Sequence, residues 1–441
     1  MAKIKAFKGY RYNEKKVNNI GTVVTPLYDT ISKEEQKKFY DINEYNIVRV
    51  TRGLINDNDD KNNNVYKRAS DYINNWIKED ILVQDKEPCL YLYEQRLNYK
   101  DTIYVNHGIV ALLELSETED NKVLTCGETD DENMKDRYNL ISNIRANIDM
   151  INCMYMDPEK TLSSIISEIS DKKPDMEFLA DEKVINSETT HKIWIIKDKK
   201  TIDFIIKNME DKTFFIADGH NRYETATQFK NYCKEYDKNY TTESDCNYIV
   251  AFCSNAYGNR MVQLPVHRVL STEKKFSEDF FLACAQDNFK LEKIIVDTSM
   301  DEIPVTIKKQ IATMRKETRI GVYFGGNYFY RLTLTNKEIM KKYLSEKSDA
   351  YCEVDVSILN RLVLEDILNI NDDNMDKFIS YTKRSTEAVD MVKNNKATCA
   401  FILNPVKAEQ IREVALSNDT MPERSIYIFP KPATGVIISK F

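Results

Sequence analysis

The sequence predicts an α+β fold, and three observations carry that expectation. Apolar residues make up 42% and charged residues 30% of the 441, which is globular and supplies enough apolar material for sizeable cores. Short apolar runs of strand length (residues 90–95, 105–115 and 248–253) are interspersed with segments of helical periodicity (66–80, 134–150). In residues 214–226 an apolar run ends abruptly in Asp218-Gly219-His220-Asn221-Arg222, and a helical pattern opens at Tyr223.

Residues 23–35 read as a strand, a turn at Pro26 and a helix. Ser32 is the expected N-cap, with Glu35 completing a capping box. The helix over 66–80 places Tyr66, Ala69, Tyr72, Ile73, Trp76 and Ile77 on one side. Trp76 and Trp194 lie in apolar patterns and are expected in cores. Residues 90–95 form a strand rich in aromatics, 105–115 its partner, 116–122 a turn and 134–150 a helix. An N-terminal α+β domain then covers 1–170. The polar stretch 170–175 marks a boundary. A strand at 192–196, a helix at 200–210, the strand–turn–helix and the strand at 248–253 make a core over 171–280. The remainder, 281–441, is a C-terminal α+β region. In and around it 275–315 and 336–370 read as helical, and 400–403, 425–429 and 435–438 as strands. No internal repeat or sustained heptad occurs.

A chain of this length needs two or three cores. The net charge of −7 argues against a broad nucleic-acid surface, yet allows a small anion in a locally basic pocket. The nine cysteines include no CxxC pair, so free thiols in a reducing compartment are expected. Residues 1–7 lack a signal-type apolar region, and no apolar run has bilayer-spanning length. A cytoplasmic protein without membrane partners is expected; its oligomeric state is left open.

The 218–222 turn carries the strongest chemical signal. A strand entering a glycine turn and a helix N-terminus gathers backbone N–H groups and the positive end of the helix dipole. Here a carboxylate, an imidazole and a guanidinium join them, and only four histidines exist in the chain. Gly219 permits close backbone approach, and Arg222 can grip a phosphate bidentately. Asp218 can accept a proton or hold Mg²⁺. A capped helix start with an Asp–Arg ion pair explains the same residues equally well. Residues 421–431 set Arg424, Ser425 and Lys431 around a strand between two prolines, which reads as a phosphate-binding loop or a solvated edge strand. Glu128 with Arg137, and His267 with Arg268, are weaker candidates.

Eight ordered blocks across nearly the whole chain resemble a large family long catalogued as a domain of unknown function. Its hallmark I-A-D-G-H-H-R-Y-E-T-A matches residues 216–226, with Asn221 in place of the second histidine. The other blocks are 26–32, which contains Asp29, then 43–50, 93–95, Asp136-Arg137, 191–194, 264–268 and 421–431. The family's core looks like the ParB/sulfiredoxin-like fold of the free serine kinases, whose D-G-H-H-R turn and C-terminal phosphate-binding segment resemble residues 218–222 and 422–427. The upstream catalytic Glu of those kinases has no counterpart, because 197–203 offers only Asp198 and Asp203.

The resemblance implies a phosphotransferase making O-phospho-L-serine from free L-serine for cysteine or serine metabolism. Pyrophosphate is the favoured donor, with ADP or ATP as alternatives and Mg²⁺ bridging donor oxygens. Asp218 and His220 would be catalytic. Gly219, Asn221, Arg222, Arg424, Ser425 and Lys431 would bind phosphate, and Asp218 would be the metal ligand. Asp29, Glu128, Arg137, His267 and Arg268 would support substrate. No Walker A or kinase glycine loop occurs. A ParB-like nucleotide- or DNA-binding module is the alternative, although no basic reading helix is evident. Sulfiredoxin-like chemistry would want a cysteine in the turn, which has none.

Overall fold

The computed structural model describes residues 3–99, 102–116, 123–125, 131–182, 187–257, 262–272, 277–297, 299–312, 317–417 and 419–441. The chain is α+β and separates into two compact units. One comprises Met1–Thr125, Thr129–Val262 and Pro430–Phe441, and the other is built from Gln263–Phe429.

The first unit is organised by a nine-stranded mixed sheet. Its strands are β1 (Ile4–Lys5), β2 (Leu90–Tyr99), β3 (Thr102–Glu114), β4 (Val123–Leu124), β5 (Ile151–Tyr155), β6 (Met176–Glu182), β7 (Ser187–Ile196), β8 (Phe214–Asp218) and β9 (Tyr248–Asn255). The spatial order is β4-β8-β5-β9-β3-β2-β7-β6, with β1 also on β3. Parallel pairing is confined to β4–β8 and β5–β9. Both faces are covered, which explains why these strands read as near-continuous apolar runs. One face packs Tyr91, Val110, Val250 and Phe252 with Trp76 and Ile73 of a helix at Val65–Lys78. The other packs Leu92, Ile109, Cys153 and Ile216 with Tyr223, Ala226 and Phe229.

The expected capping box is present: the Ser32 side chain accepts from Glu35 N, and the Glu35 carboxylate accepts from Ser32 N, at the head of Lys33–Ile42. Residues 23–25 make no strand, only an isolated bridge from Thr25 to Thr434. The helix expected over 134–150 is Asp131–Ile144. Arg145 takes φ 47° and ends it; Ala146–Asn147 then pair with Ser439–Lys440, which helical periodicity over 134–150 does not reveal, and β5 follows at Ile151. The segment 435–438, expected as a strand, makes only an isolated bridge within the first unit, Tyr10 to Ile438. Val436 and Ile437 are buried there.

The second unit holds an antiparallel six-stranded sheet. Its strands are β10 (His267–Leu270), β11 (Phe289–Ile295), β12 (Arg319–Tyr323), β13 (Tyr328–Leu334), β14 (Ile379–Thr382) and β15 (Cys399–Ile402), in the order β11-β13-β12-β15-β10-β14. The helical reading of 275–315 is replaced by helices Glu278–Ala285 and Ile303–Ile311 flanking β11. Pairing with β13 along its whole length overrides the ambiguous local pattern.

These units do not coincide with segments 1–170, 171–280 and 281–441. β5 and β8, drawn from the first two segments, are sheet neighbours, and residues 430–441 return to the first unit. Every described cysteine is a free thiol. Among the described residues no helix is long and apolar enough to cross a membrane.

Candidate functional site

The strand entering the turn carries a β-bulge. Phe214, Phe215 and Ile216 oppose Tyr155, Met154 and Cys153 in order, but Asp218 opposes Asn152, so Ala217 is the extra residue. In unbroken alternation Asp218 would share the face of Ile216, inside the helix-covered core. The bulge turns it onto the opposite face, as bulges beside functional sites do. Gly219 follows at φ 101°, ψ 29° and is the N-cap of the 17-residue helix His220–Tyr236, with no side-chain cap bond. A β-carbon at Gly219 would lie 2.9 Å from both Arg222 Nη2 and Ile151 Cγ2. The helix starts at His220 rather than Tyr223, so His220, Asn221 and Arg222 all belong to its first turn.

Asp218 accepts hydrogen bonds from two cations. Arg222 Nη2 donates to its Oδ2 at 2.8 Å and Lys431 Nζ donates to its Oδ1. All three side chains are mostly buried. Burial alone would raise the Asp218 pKa, but Lys431 and Arg222 outweigh it and hold the carboxyl below its usual range. Arg222 also donates to the Met150 carbonyl at 2.6 Å. Burial disfavours its charge, while Asp218, Asp149 and Asp29 more than offset this. His220 is pushed down to about 4 by burial, with Arg222 and Lys431 adding to the effect against Asp218 and the Ile216 backbone. It is therefore a neutral imidazole near neutral pH.

Lys431 reaches Asp218 from a chain segment that is itself pinned down. Ala433 N donates to the Tyr93 hydroxyl at 3.3 Å, Gly435 N to the Ile148 carbonyl at 3.1 Å, and Thr434 Oγ1 to Asp149 Oδ1. Asp149 also accepts from Thr51 Oγ1 at 3.4 Å, and Arg137 donates to the Thr51 carbonyl at 2.9 Å. Arg137 lies 3.8 Å over the Tyr28 ring and 2.5 Å from Asp136 Oδ2. A cavity of about 40 Å³ lined by Arg137, Asp149, Arg222 and Thr225 sits among these groups, large enough to hold ordered water.

The structure thus gathers Asp218, Gly219, His220, Asn221, Arg222 and Lys431, with Arg137 lining the same small cavity as Arg222 and Asp29 exposed on the turn Tyr28–Thr30. Arg424 and Ser425 belong to the second unit. Arg424 takes φ 53°, bonds Asp376 at 2.7 Å and lies 4.4 Å over the Tyr381 ring; Ser425 is buried. Arg268, fully buried, bonds the Val266 and Glu423 carbonyls, and burial pushes it down to about 10. His267 accepts from Leu403 N at 3.2 Å and is lowered to about 3 by burial, with Lys308 and Arg268 adding to it. It is a neutral core histidine. His191 is alike: Tyr93 hydroxyl at 2.7 Å, Phe178 stacked at 4.8 Å, and burial lowering it to about 3. Glu128 lies outside the described residues.

Asp149, Thr51, Thr434, Met150 and Asn152 were not singled out from the sequence. Four of them act through backbone position or short hydroxyl and carboxyl contacts that leave no spacing signature. Asn152 would have followed from reading 151–155 as a strand.

Fold and site together define an α+β protein with a charged strand–bulge–glycine–helix centre. The chain belongs to the family described as "Protein of unknown function (DUF1015)", whose model matches residues 4–357. No curated protein matches it. Similar solved structures include a free serine kinase in complex with AMP, at 7% identity over 74% of this chain and 91% of that one, TM-score 0.35. A conserved hypothetical protein from Pyrococcus furiosus is 8% identical over 74% and 93%, TM-score 0.33. SbnI with a C-terminal truncation, from Staphylococcus aureus, is 8% identical over 74% and 85%, TM-score 0.34.

Proposed function

We propose that this chain is a phosphotransferase that moves a phosphoryl group onto the hydroxyl of free L-serine, giving O-phospho-L-serine. Pyrophosphate is the preferred donor, with ADP or ATP as the alternatives, and the core is read as ParB/sulfiredoxin-like. The observation that carries this reading is the pairing of Asp218 with both Lys431 and Arg222 at the uncapped start of a long helix. Two cations and a helix dipole form an anion-binding point, and the carboxylate between them is the group an acceptor hydroxyl needs.

Phosphoryl transfer is mostly positioning and charge stabilisation. An anionic donor draws Lys431 and Arg222 toward its oxygens. Asp218 then loses part of the charge that depresses it and becomes a better hydrogen-bond acceptor for the serine hydroxyl. As the serine oxygen–phosphorus bond forms and the bridging oxygen–phosphorus bond breaks, the hydroxyl proton passes to Asp218. Neutral His220 spends its single N–H on the Ile216 backbone, so its other ring nitrogen is a hydrogen-bond acceptor. The turn fits a metal poorly as a protein cage. No group of three or more His, Cys, Asp or Glu side chains able to hold a metal occurs among the described residues, and both Asp218 oxygens already face cations. Mg²⁺ would therefore enter on the donor's phosphates, and no step above depends on it.

The test is incubation of purified protein with L-serine and each donor in turn, read by ³¹P NMR. O-phosphoserine should form, with pyrophosphate at least as effective as ADP or ATP. Product from ATP alone would reassign the donor, and no product from any donor would refute the reading.

A further inference from the structure

The β-bulge at Ala217 sets Asp218 directly opposite Asn152 on β5. Directly opposed residues share a sheet face with β-carbons about 4.5–5.5 Å apart. Asn152 is 0% exposed, and neither its Oδ1 nor its Nδ2 has a hydrogen-bond partner. A buried carboxamide with both ends unmet is costly, and native proteins rarely keep one without a reason. Here it adjoins the carboxylate that Lys431 and Arg222 both contact. The unpartnered group thus faces the helix-start site rather than a remote core.

We infer that Asn152 contacts the acceptor, holding the hydroxyl-bearing molecule against Asp218. The chemistry of the carboxamide selects the ligand class. It offers one acceptor and two donors. A fully ionised phosphate only accepts, and would leave Oδ1 unmet. A hydroxyl, or the ammonium and carboxylate pair of an amino acid, satisfies both ends. The cations suit the anionic donor and the neutral carboxamide suits a small hydroxy amino acid. The inference rests on the transfer reading for the identity of Asp218's partner, but binding tests it separately.

The experiment compares wild type, Asn152→Leu and Asn152→Ala by calorimetric binding of L-serine, L-threonine and L-homoserine without donor, and of pyrophosphate alone. Leucine keeps the volume and removes the unmet groups, so this variant should melt at or above the wild-type temperature. Binding of the favoured hydroxy amino acid should weaken about tenfold or more, as expected for loss of one or two hydrogen bonds, while pyrophosphate binding stays unchanged. Unaltered amino-acid binding in either folded variant overturns the inference. So does an equal loss of pyrophosphate binding, or a wild type that binds none of the three. If binding falls as expected but wild type yields no phosphorylated product, the transfer reading fails and the acceptor contact stands.

Discussion

Lys431 Nζ donates to Oδ1 of Asp218, a residue 213 positions earlier in the chain. The contact lies within one structural unit, because residues 430–441 fold back onto the sheet that carries the turn. Its consequence is electrostatic. Asp218 sits between two cations, so neither Lys431 nor Arg222 can be altered without changing the carboxylate.

Replacing Lys431 with Met should therefore do two things. Turnover should fall on the order of 10²-fold, the typical effect of losing one preorganised donor at a developing charge. The acid limb of the rate–pH profile should also move to higher pH, because the carboxyl loses its strongest favourable partner. Unchanged kinetics together with an unmoved acid limb would make the contact purely structural.

Asp218→Asn should slow transfer on the order of 10²–10⁴-fold, as for loss of a positioned proton acceptor. It should also destabilise the fold, since it leaves Lys431 and Arg222 mostly buried without their shared counter-charge. Breaking such a pair by removing one partner costs about 3–5 kcal/mol. A urea melt of Asp218→Asn beside the Asp218→Asn/Lys431→Met double variant separates the effects. The double variant should recover part of the stability and none of the activity. Full activity in a folded single variant would remove Asp218 from the chemistry.

Features set by local rules were legible in the sequence. The Ser32–Glu35 capping box and the helix it opens, the antiparallel pair β2–β3 and the strand–turn–helix all follow from caps, periodicity and glycine. Features set by non-local pairing were not. β5 (Ile151–Tyr155) has no assignment in the sequence reading, because its short apolar run follows a helical pattern without a glycine or proline break. With β5 unread, the bulge that re-aims Asp218 had no partner against which to be noticed. The tail was read as one functional block, yet Arg424 and Ser425 fold with the second unit while Lys431 folds with the first. Nothing within an eleven-residue motif announces a unit boundary between Phe429 and Pro430.

Gly219→Ala should be strongly harmful for two independent reasons. The backbone sits at φ 101°, a region that costs a non-glycine residue about 1–3 kcal/mol. The new methyl would also press on Arg222 Nη2 and Ile151 Cγ2 at 2.9 Å. The guanidinium is the more movable neighbour, so the Arg222–Asp218 bond should loosen before the sheet does. Stability should fall by about 1–3 kcal/mol on the backbone term alone, and donor affinity should fall with it. A thermal melt and a pyrophosphate titration would check both; wild-type values in each would mean that the turn tolerates a β-carbon.

Acidification should destabilise the protein between about pH 6.5 and pH 4. His191 and His267 are lowered to about 3 and His220 to about 4, in each case with burial as the main cause. The unfolded chain binds protons at these histidines from about pH 6.5 downward while the folded chain does not. The unfolded state thus holds more protons, and stability rises with pH across that window. Asp218, held below its usual range by Lys431 and Arg222, acts in the same direction at the lower end. Asp355 opposes them: burial raises it to about 6, so its folded form holds a proton that the unfolded form releases, and its contribution is lost as pH rises from about 4 to 6. Glu224, also raised by burial, opposes them in the same sense; the three histidines with Asp218 outweigh these two carboxyls, so the net loss on acidification should reach on the order of several kcal/mol. Denaturant midpoints at pH 7.5, 6.0, 5.0 and 4.5 would measure it. His191→Gln should flatten part of the slope, because glutamine carries no titrating group. A midpoint independent of pH over this range would mean that the buried imidazoles titrate as they do in the unfolded chain.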